Sequence, residues 1–275
     1  MNKYIFHKDN FSTEELNLID AKFSEMPVKK SSFYALESNE LIELSAIREQ
    51  LGCDISHLEA SFDAKGIRLL VTDMDSTLIS IECIDEIADM LGIKAQVSAI
   101  TEAAMRGELD FEASLTQRVA LLKGLPVEEL QRVYDERLTL NPGAEELILF
   151  LKKSNIKLAL VSGGFTFFTD KLKDRLGLDY TLANTLGIED GRLTGKVVGD
   201  IIGAQAKADL LLALSNELAI DTSQVISMGD GANDLLMMDE AGLSVAYHAK
   251  PTVQAQTDIQ LNNAGLNAVV DLLKA

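Results

Sequence analysis

Short apolar runs alternate with amphipathic stretches along most of the chain. The runs are nearly unbroken, as in strands buried on both faces, and they cover residues 67–72, 157–161, 224–228 and 243–246. Between them, apolar residues recur at helical spacing over residues 144–154, 167–176, 204–219 and 234–241. Strands that alternate with helices form a parallel, doubly wound sheet. The pattern therefore predicts an α/β fold in which a ligand binds beyond the carboxyl ends of the strands.

Two intervals interrupt this alternation. Residues 81–138 contain only helical patterns, which predicts a helical cap inserted after the first strand. Residues 186–201 are rich in glycine and short β-type runs, which predicts a hairpin with its turn at residues 189–192. We therefore assign the α/β core to residues 66–80 and 139–275.

The first 65 residues have the pattern of a separate small unit. Ser12 and Glu15 form a capping box at the start of a helical stretch. A second helix is predicted over residues 40–51, and a strand over residues 32–36. Residues 1–65 are thus expected to form a small N-terminal α+β domain, in which no catalytic motif is evident.

Composition narrows the classes of partner. The chain of 275 residues carries a formal net charge of −18, which argues against nucleic acid because phosphate backbones are bound through basic surface. No run reaches the length of about 18 apolar residues that a membrane span requires, and no signal peptide is evident at the N-terminus. Cys53 and Cys83 are too few for a disulfide framework. We expect a cytoplasmic monomer or homodimer with no membrane partner.

Two carboxylates follow the first predicted strand, at Asp73 and Asp75. An extended segment points alternate side chains to the same side, so both carboxylates face one way. Carboxylates at the end of a buried strand are costly unless a metal or hydrogen bonds neutralise them. The alternative is a plain turn, because 43 residues of this chain are Asp or Glu.

Two glycine-containing segments follow later strands. Ser162, Gly163 and Gly164 offer a hydroxyl and backbone N–H groups ahead of a helix, an arrangement that can hold a phosphate. Residues 229–234, with the sequence Gly-Asp-Gly-Ala-Asn-Asp, combine tight backbone with two carboxylates. Taken alone, Ser162–Gly164 is better explained as a plain turn, and residues 229–234 are equally compatible with a glycine-rich turn that ends in a capping acid. Lys207, on the helix before the second segment, would alone be read as a solvated surface residue.

Together these motifs resemble the haloacid-dehalogenase superfamily of phosphatases, in the order D-x-D-x-T/S, Ser or Thr, Lys, and G-D-x-x-N-D. The resemblance extends from residue 67 to about residue 250 and implies the Rossmann-like core of that superfamily. It implies that Asp73 is the nucleophile and Asp75 the general acid and base. The implied Mg²⁺ ligands are Asp73, the backbone carbonyl of Asp75, and Asp230. The implied substrate-binding residues are Ser162, Gly163, Lys207 and Asn233, with Asp234 as a supporting residue.

The chemistry agrees with these roles. A carboxylate can attack a phosphate dianion only when positive charge compensates their repulsion. Mg²⁺ prefers oxygen ligands, and a Lys beside it adds a second positive charge. Charges beyond roughly 8–10 Å are largely screened, so these local cations outweigh the net charge of −18.

The predicted cap carries a closer resemblance, to the phosphoserine phosphatases within that superfamily. The matching segments are residues 73–88, 105–111, 114–119, 162–168 and 203–207. The resemblance implies that Glu82 meets the substrate ammonium and Arg118 its carboxylate, while Met105 and Phe111 pack over the serine. An Arg fork and a carboxylate suit such a zwitterion. In the alternative reading, Glu82 favours a helix N-terminus and Arg118 forms a surface ion pair. Asp85 is expected on a solvated helix face.

The expected activity is Mg²⁺-dependent hydrolysis of phosphoserine to serine and phosphate through an aspartyl-phosphate, the last step of serine biosynthesis. One alternative keeps the fold but acts on another small phosphate ester, by hydrolysis or phosphotransfer. Another is a silent phosphoserine-binding protein, against which the intact Asp73 and Asp75 argue. Some relatives carry an amino-acid-binding regulatory domain before the core. Residues 1–65 show no glycine-containing ligand loop, so a packing or dimer-forming role fits at least equally well.

Overall fold

The N-terminal unit of the computed structural model is a four-stranded antiparallel sheet covered by two helices. The structure describes residues 1–275 except for the side chain of Met105. The strands are β1 Asn2–Phe6, β2 Val28–Lys29, β3 Tyr34–Ser38 and β4 Ile55–Leu58, in the order β2-β3-β1-β4. The helices are α1 Thr13–Phe23 and α2 Ser45–Leu51. This β-α-β-β-α-β order is that of a ferredoxin-like unit. The predicted Ser12–Glu15 capping box begins α1, whereas α2 starts five residues later than predicted.

A seven-stranded sheet forms the core within the described residues. Its strands are β5 Leu69–Thr72, β6 Lys157–Phe165, β7 Tyr180–Glu189, β8 Arg192–Val198, β9 Val225–Gly229, β10 Leu243–Tyr247 and β11 Ile259–Leu261. Their order is β11-β10-β9-β5-β6-β7-β8, and every pair is parallel except β7 with β8. The predicted α/β class with a doubly wound, mostly parallel sheet is therefore confirmed.

Helices cover the core sheet and form the cap. The cap contains α3 Cys83–Met90, α4 Lys94–Met105, α5 Phe111–Ala120 and α6 Val127–Glu136. The core helices are α7 Ala144–Lys153, α8 Thr166–Leu176, α9 Ala204–Glu217, α10 Leu235–Glu240, α11 Pro251–Gln254 and α12 Ala268–Lys274. Along β5 successive side chains alternate between two buried apolar clusters, with Leu70 in one and Leu69 and Val71 in the other. Both faces of the sheet are thus covered, as a parallel sheet requires.

The hairpin of β7 and β8 differs in extent from the prediction. Its turn lies where expected, at Asp190 and Gly191, whose φ angles of 50° and 72° are those of a two-residue turn with positive φ at both positions. However, β7 begins at Tyr180 rather than at residue 186. Only part of this strand is buried, so its sequence lacks the unbroken apolar run that marked the other core strands.

The N-terminal sheet packs directly against the core. One face contacts α1 and α2, and the other contributes Ile5, Phe33 and Leu58 to the same apolar cluster as Leu70. Both faces of this small sheet are consequently buried. The domain boundaries at residues 1–65, 66–80 with 139–275, and 81–138 stay predictions. No described helix is both long and apolar enough to span a bilayer.

Candidate active site

The carboxyl end of β5 leads into a tight turn that carries the two predicted catalytic carboxylates. The Asp73 backbone N–H donates to the Met228 carbonyl at 2.9 Å, which extends the pairing of β5 with β9 by one residue. The following turn, Met74–Leu78, departs from helical geometry at Asp75 and at Ser76, whose φ is 57°. This conformation is uncommon for a residue other than glycine, so other contacts must hold the turn in place.

Asn141 supplies those contacts. Its Nδ2 donates to the carbonyls of Ser76 at 3.3 Å, Thr77 at 2.8 Å and Ile79 at 3.1 Å. The sequence motifs do not reveal this residue, because it lies far along the chain from the turn and belongs to none of them. Its only signal was its position just before α7, where the cap returns to the core.

Asp75 lies in a pocket of hydrogen-bond donors. Its Oδ1 accepts from the Cys83 backbone N–H at 2.8 Å, and its Oδ2 accepts from Ser162 Oγ at 3.3 Å. The residue is only 9% exposed. Burial raises the pKa of Asp75, and the hydrogen bonds from Cys83 and Ser162 partly oppose that rise. The elevated pKa favours a carboxyl group that can hold a proton.

Lys207 is fully buried between two carboxylates. Its Nζ donates to Asp73 Oδ1 at 2.6 Å and to Asp234 Oδ1 at 2.7 Å. Burial alone would lower the pKa of Lys207, but Asp234 and Asp73 outweigh burial and raise it. Burial likewise raises the pKa of Asp73 well above its usual range, and Lys207 acts in the opposite direction. Lys207 thus forms a charge-assisted hydrogen bond with each carboxylate, whereas Asp73 and Asp234 repel each other. Lys207 alone would be read as a surface residue, and only its position among the other motifs predicted it in the site.

A cluster of carboxylates beside this lysine has the composition of a cation site. Asp73, Asp230 and Asp234 each present one carboxylate oxygen, and the three oxygens lie within 4.8 Å of one another. Burial raises the pKa of Asp230 to about 6, and Asp234 contributes. Two buried carboxylates and one partly buried carboxylate thus lie close together, and oxygen donors of this kind suit a hard divalent cation.

Within this cluster, Asp234 is more constrained than the other two. Its Oδ1 accepts from Lys207, and its Oδ2 accepts from the Gly231 backbone N–H at 3.1 Å. Asp230 accepts one side-chain hydrogen bond, from Thr77 Oγ1 at 3.3 Å. This difference favours Asp73 and Asp230 as ligands and Asp234 as a support, the division expected from the sequence.

The core and the cap enclose a cavity of about 770 Å³ above these groups. Its wall includes nearly all of the residues expected in the site. They are Asp73, Asp75, Glu82, Phe111, Arg118, Ser162, Gly163, Asp230 and Asn233. Lys207 lies beneath Asp73, and the side chain of Met105 is outside the described residues. The cavity is large enough for a small amino-acid phosphate.

Opposite charges face each other on the cap side of the cavity. Glu82 Oε1 accepts from Ser76 Oγ at 2.7 Å. Its side chain reaches solvent through the cavity, although protein surrounds it; this burial raises its pKa to about 7, and Asp75 adds to the rise. Burial lowers the pKa of Arg118, an effect that the nearby carboxylates of Asp85 and Glu82 oppose. A zwitterionic ligand would meet both signs of charge here.

One expectation for this region needs correction. Asp85 was expected on a solvated helix face, yet it lines the cavity. Asp85 follows Glu82 by three residues on α3, so one turn of the helix brings both to the same face. That spacing was visible in the sequence, but without the position of the cavity it did not separate Asp85 from the other acidic residues of the helix.

The arrangement of a mostly parallel core, an inserted helical cap and an Asp-Lys-Asp cluster defines a phosphoryl-transfer hydrolase. The chain belongs to the haloacid dehalogenase-like hydrolase family, whose model matches residues 67–242.

Particular members of the family are still more similar. The phosphoserine phosphatase of Polaromonas sp. (strain JS666) is 56% identical over 212 residues, which cover 75% of this chain and 90% of that protein. The unliganded structure of a probable phosphoserine phosphatase from Vibrio cholerae superposes with a TM-score of 0.86 at 39% identity, covering 99% of this chain and 86% of the other. A phospho-aspartyl intermediate analogue of phosphoserine phosphatase superposes with a TM-score of 0.70 at 41% identity, covering 75% and 98%.

Proposed function

We propose that the protein is a phosphoserine phosphatase, which hydrolyses O-phosphoserine to serine and inorganic phosphate. The observation that carries this proposal is one cavity that joins the Asp73–Lys207 pair of the core to Glu82 and Arg118 of the cap. Two of the relatives named above support it, since they are phosphoserine phosphatases that are 56% and 41% identical to this chain.

In the first step, an Asp73 carboxylate oxygen attacks phosphorus, and the bond from phosphorus to the serine oxygen breaks. Asp75, in its protonated form, gives its proton to the departing serine oxygen, which is otherwise a poor leaving group. The product is an aspartyl-phosphate on Asp73. Lys207 and the Ser162–Gly163 segment hold the phosphoryl oxygens, on which negative charge must be compensated.

In the second step, Asp75 is a carboxylate and takes a proton from water. The water oxygen attacks phosphorus, and the bond from phosphorus to Asp73 breaks, which restores the free carboxylate and releases phosphate. The raised pKa of Asp75 suits both roles, because the residue must bind and release a proton in each cycle.

Asp73 and Asp230 would hold Mg²⁺, together with the backbone carbonyl of Asp75 and with Asn233 and Asp234 in support. When bound, Mg²⁺ compensates the repulsion between the Asp73 carboxylate and the substrate phosphate. Its ligands are the oxygen atoms that this metal prefers.

The cap residues select the substrate. Arg118 would bind the carboxylate of phosphoserine with its planar fork, and Glu82 its ammonium. Phe111, which lines the cavity, would pack over the serine carbon atoms, and the same contact is expected for Met105. A sugar phosphate offers neither charged group, so it would leave Glu82 and Arg118 without partners.

The proposal is tested by phosphate release from phosphoserine, phosphothreonine, a sugar phosphate and p-nitrophenyl phosphate, each with Mg²⁺ and with chelator. We expect a strong preference for phosphoserine and loss of all turnover with chelator. Metal-dependent turnover of a different ester would contradict the substrate but keep the mechanism. Absence of turnover on every ester would favour a binding protein.

Two further expectations accompany this function. The two free, buried cysteines, Cys53 and Cys83, fit the reducing cytoplasm. The assembly as monomer or homodimer stays a prediction, which light scattering on the purified protein would decide.

A further inference from the structure

A β-bulge shapes the segment that is proposed to hold the phosphate. In the parallel pairing of β6 with β7, Val161 lies opposite Leu182, and the next pair is Phe165 with Asn184. Three residues of β6, 162–164, therefore face a single residue of β7. Extra residues in a bulge leave the hydrogen-bond ladder and turn their groups out of the sheet. This irregularity frees Ser162 and Gly163 for the cavity but leaves their backbone without its regular partners.

The side chain of Asn184 replaces those partners. Asn184 is completely buried, and its Nδ2 donates to the Gly163 carbonyl at 2.8 Å. Its Oδ1 accepts from the Ile202 backbone N–H at 2.8 Å, and Nδ2 lies 3.5 Å from the Ile202 carbonyl. The amide orientation is fixed by its partners, because a backbone carbonyl only accepts and a backbone N–H only donates.

These hydrogen bonds connect the two segments that would hold the phosphoryl group. Ile202 immediately precedes Gly203, the N-cap of α9, and the Lys207 backbone N–H donates to the Gly203 carbonyl at 3.2 Å. Asn184 thus links the bulge that carries Gly163 to the first turn of the helix that carries Lys207.

Phe111 of the cap rests on the same two segments. A Cβ atom built on Gly163 would lie 2.9 Å from Phe111 Cζ, and one on Gly203 would lie 3.4 Å from Phe111 Cδ1. The Phe111 ring therefore packs closely against both glycines. The Asn184 amide links the segments that carry them, since it bonds to Gly163 and to Ile202 and has no other described partner.

We propose that Asn184 is a positioning residue for phosphate binding, which fixes the Ser162–Gly163 bulge relative to Lys207. The inference rests on the proposed phosphatase activity. Asn184 does not line the cavity, so it acts through Gly163 and Ile202 and not by touching substrate. Catalysis is sensitive to such placement, since a shift of about 1 Å in a catalytic group can cost about 100-fold in rate.

Two variants test the inference. Asn184→Ala removes all the hydrogen bonds, and Asn184→Asp keeps an acceptor for Ile202 while it replaces the donor to Gly163. The measurements are the inhibition constant of inorganic phosphate and the KM of phosphoserine and of p-nitrophenyl phosphate. We expect both variants to raise the phosphate inhibition constant about 10- to 100-fold. Both esters should be affected equally, because the defect lies at the phosphate and not at the cap.

Ser244→Ala is the matched control. Ser244 is also buried and hydrogen-bonded between strands, to Asp258 at 2.7 Å, but it lies at the amino end of β10, away from the cavity. This control should lower the melting temperature without a change in the phosphate inhibition constant. A merely structural Asn184 would behave in the same way, and that result in both Asn184 variants would overturn the inference.

The design separates this inference from the proposed function. A wild-type protein that hydrolyses p-nitrophenyl phosphate but not phosphoserine would refute the substrate, while the phosphate inhibition constants would still test Asn184. If the wild-type protein hydrolyses phosphoserine and both variants keep the wild-type phosphate inhibition constant, the role of Asn184 is refuted and the proposed function stands. Should the alanine variant be insoluble, the nearly isosteric aspartate variant decides.

Discussion

At the scale of single residues, the site consists of charges that are stable only together. Asp73, Asp234 and Lys207 are each at most 5% exposed. A buried charge without a partner costs several kcal/mol, and removal of one partner leaves the others uncompensated. Mutations of these residues therefore change both the stability of the fold and the rate of the reaction. For each variant, the free energy of unfolding should be measured together with kcat.

Asp73→Asn is predicted to abolish turnover, because an amide is a poor nucleophile towards phosphorus. The substitution preserves the shape of the side chain, and far-ultraviolet circular dichroism should show an unchanged fold. The measurement is phosphate release over long incubation with Mg²⁺. Appreciable residual turnover in pure protein would refute the aspartyl-phosphate pathway.

Arg118→Ala is predicted to weaken phosphoserine selectively. The guanidinium is the group proposed to bind the substrate carboxylate, and loss of one such charged hydrogen-bonded contact commonly costs about 2–5 kcal/mol, at least 30-fold in kcat/KM. p-Nitrophenyl phosphate has no carboxylate and should lose little. Arg137→Ala is the control, since Arg137 is a half-exposed cap arginine 3.6 Å from Glu86 and does not line the cavity. Equal losses on both esters would show that Arg118 does not recognise the carboxylate.

At the scale of secondary-structure elements, the turn after β5 depends on a residue from a distant part of the chain. Asn141 lies where the chain returns from the cap, and a single side-chain nitrogen donates to three carbonyls of the Met74–Ile79 segment. The segment that follows the cap therefore lies beside the turn that precedes it. The Asn141 amide joins these two segments by hydrogen bonds.

Asn141→Ala is predicted to lower the free energy of unfolding by about 1–3 kcal/mol, because partly buried carbonyls lose their donor. The rate should fall as well, since the turn orients Asp75. The measurements are urea unfolding and kcat for phosphoserine. Asn216→Ala, an exposed position on α9, should change neither. A destabilised Asn141 variant with normal kcat would show that the turn keeps its geometry without this amide.

The difference between these residues shows what the sequence could predict. Asp73 and Asp230 directly follow strands of strong apolar pattern, and Ser162 directly follows the apolar run of β6, so their convergence followed from the topology of a parallel sheet. Asn141 and Asn184 act through hydrogen bonds to the backbone of other elements, and their sequence neighbours carry no sign of those partners. Tyr180–Glu189 was only partly recognised as a strand, because a strand that is only partly buried gives a weaker apolar pattern than one buried on both faces.

At the scale of the whole molecule, the charge distribution reconciles an acidic protein with an anionic substrate. The net charge is −18, but the phosphate end of the cavity would face Lys207 and a divalent cation, and the other end faces Arg118. Salt screens the other charges, so they act only over a short range. A few cations placed in the cavity are thus sufficient to bind an anionic substrate.

The N-terminal domain is joined to the core by a polar contact as well as by apolar packing. Asp54, at the start of β4, is 2% exposed, and its Oδ2 accepts from the backbone N–H groups of Asn262, Asn263 and Ala264 at 2.7 to 2.9 Å. These residues form the loop that follows β11 of the core. The Vibrio cholerae structure aligns with 99% of this chain, so the likeness includes this domain. Such a contact favours a fixed attachment over a hinged one.

Asp54→Ala is accordingly predicted to destabilise the whole protein and to leave catalysis intact. Three backbone N–H groups would lose the buried carboxylate that accepts from them, and a loss of about 1–3 kcal/mol in the free energy of unfolding is expected. Urea unfolding should remain a single transition at lower midpoint, because the two units share one apolar cluster. Asp9→Ala, an exposed position in the same domain, should have no effect. A regulatory domain that moves on the core predicts the opposite result, namely altered kcat or KM at nearly unchanged stability, and kinetics measured beside the unfolding curves would distinguish the two roles.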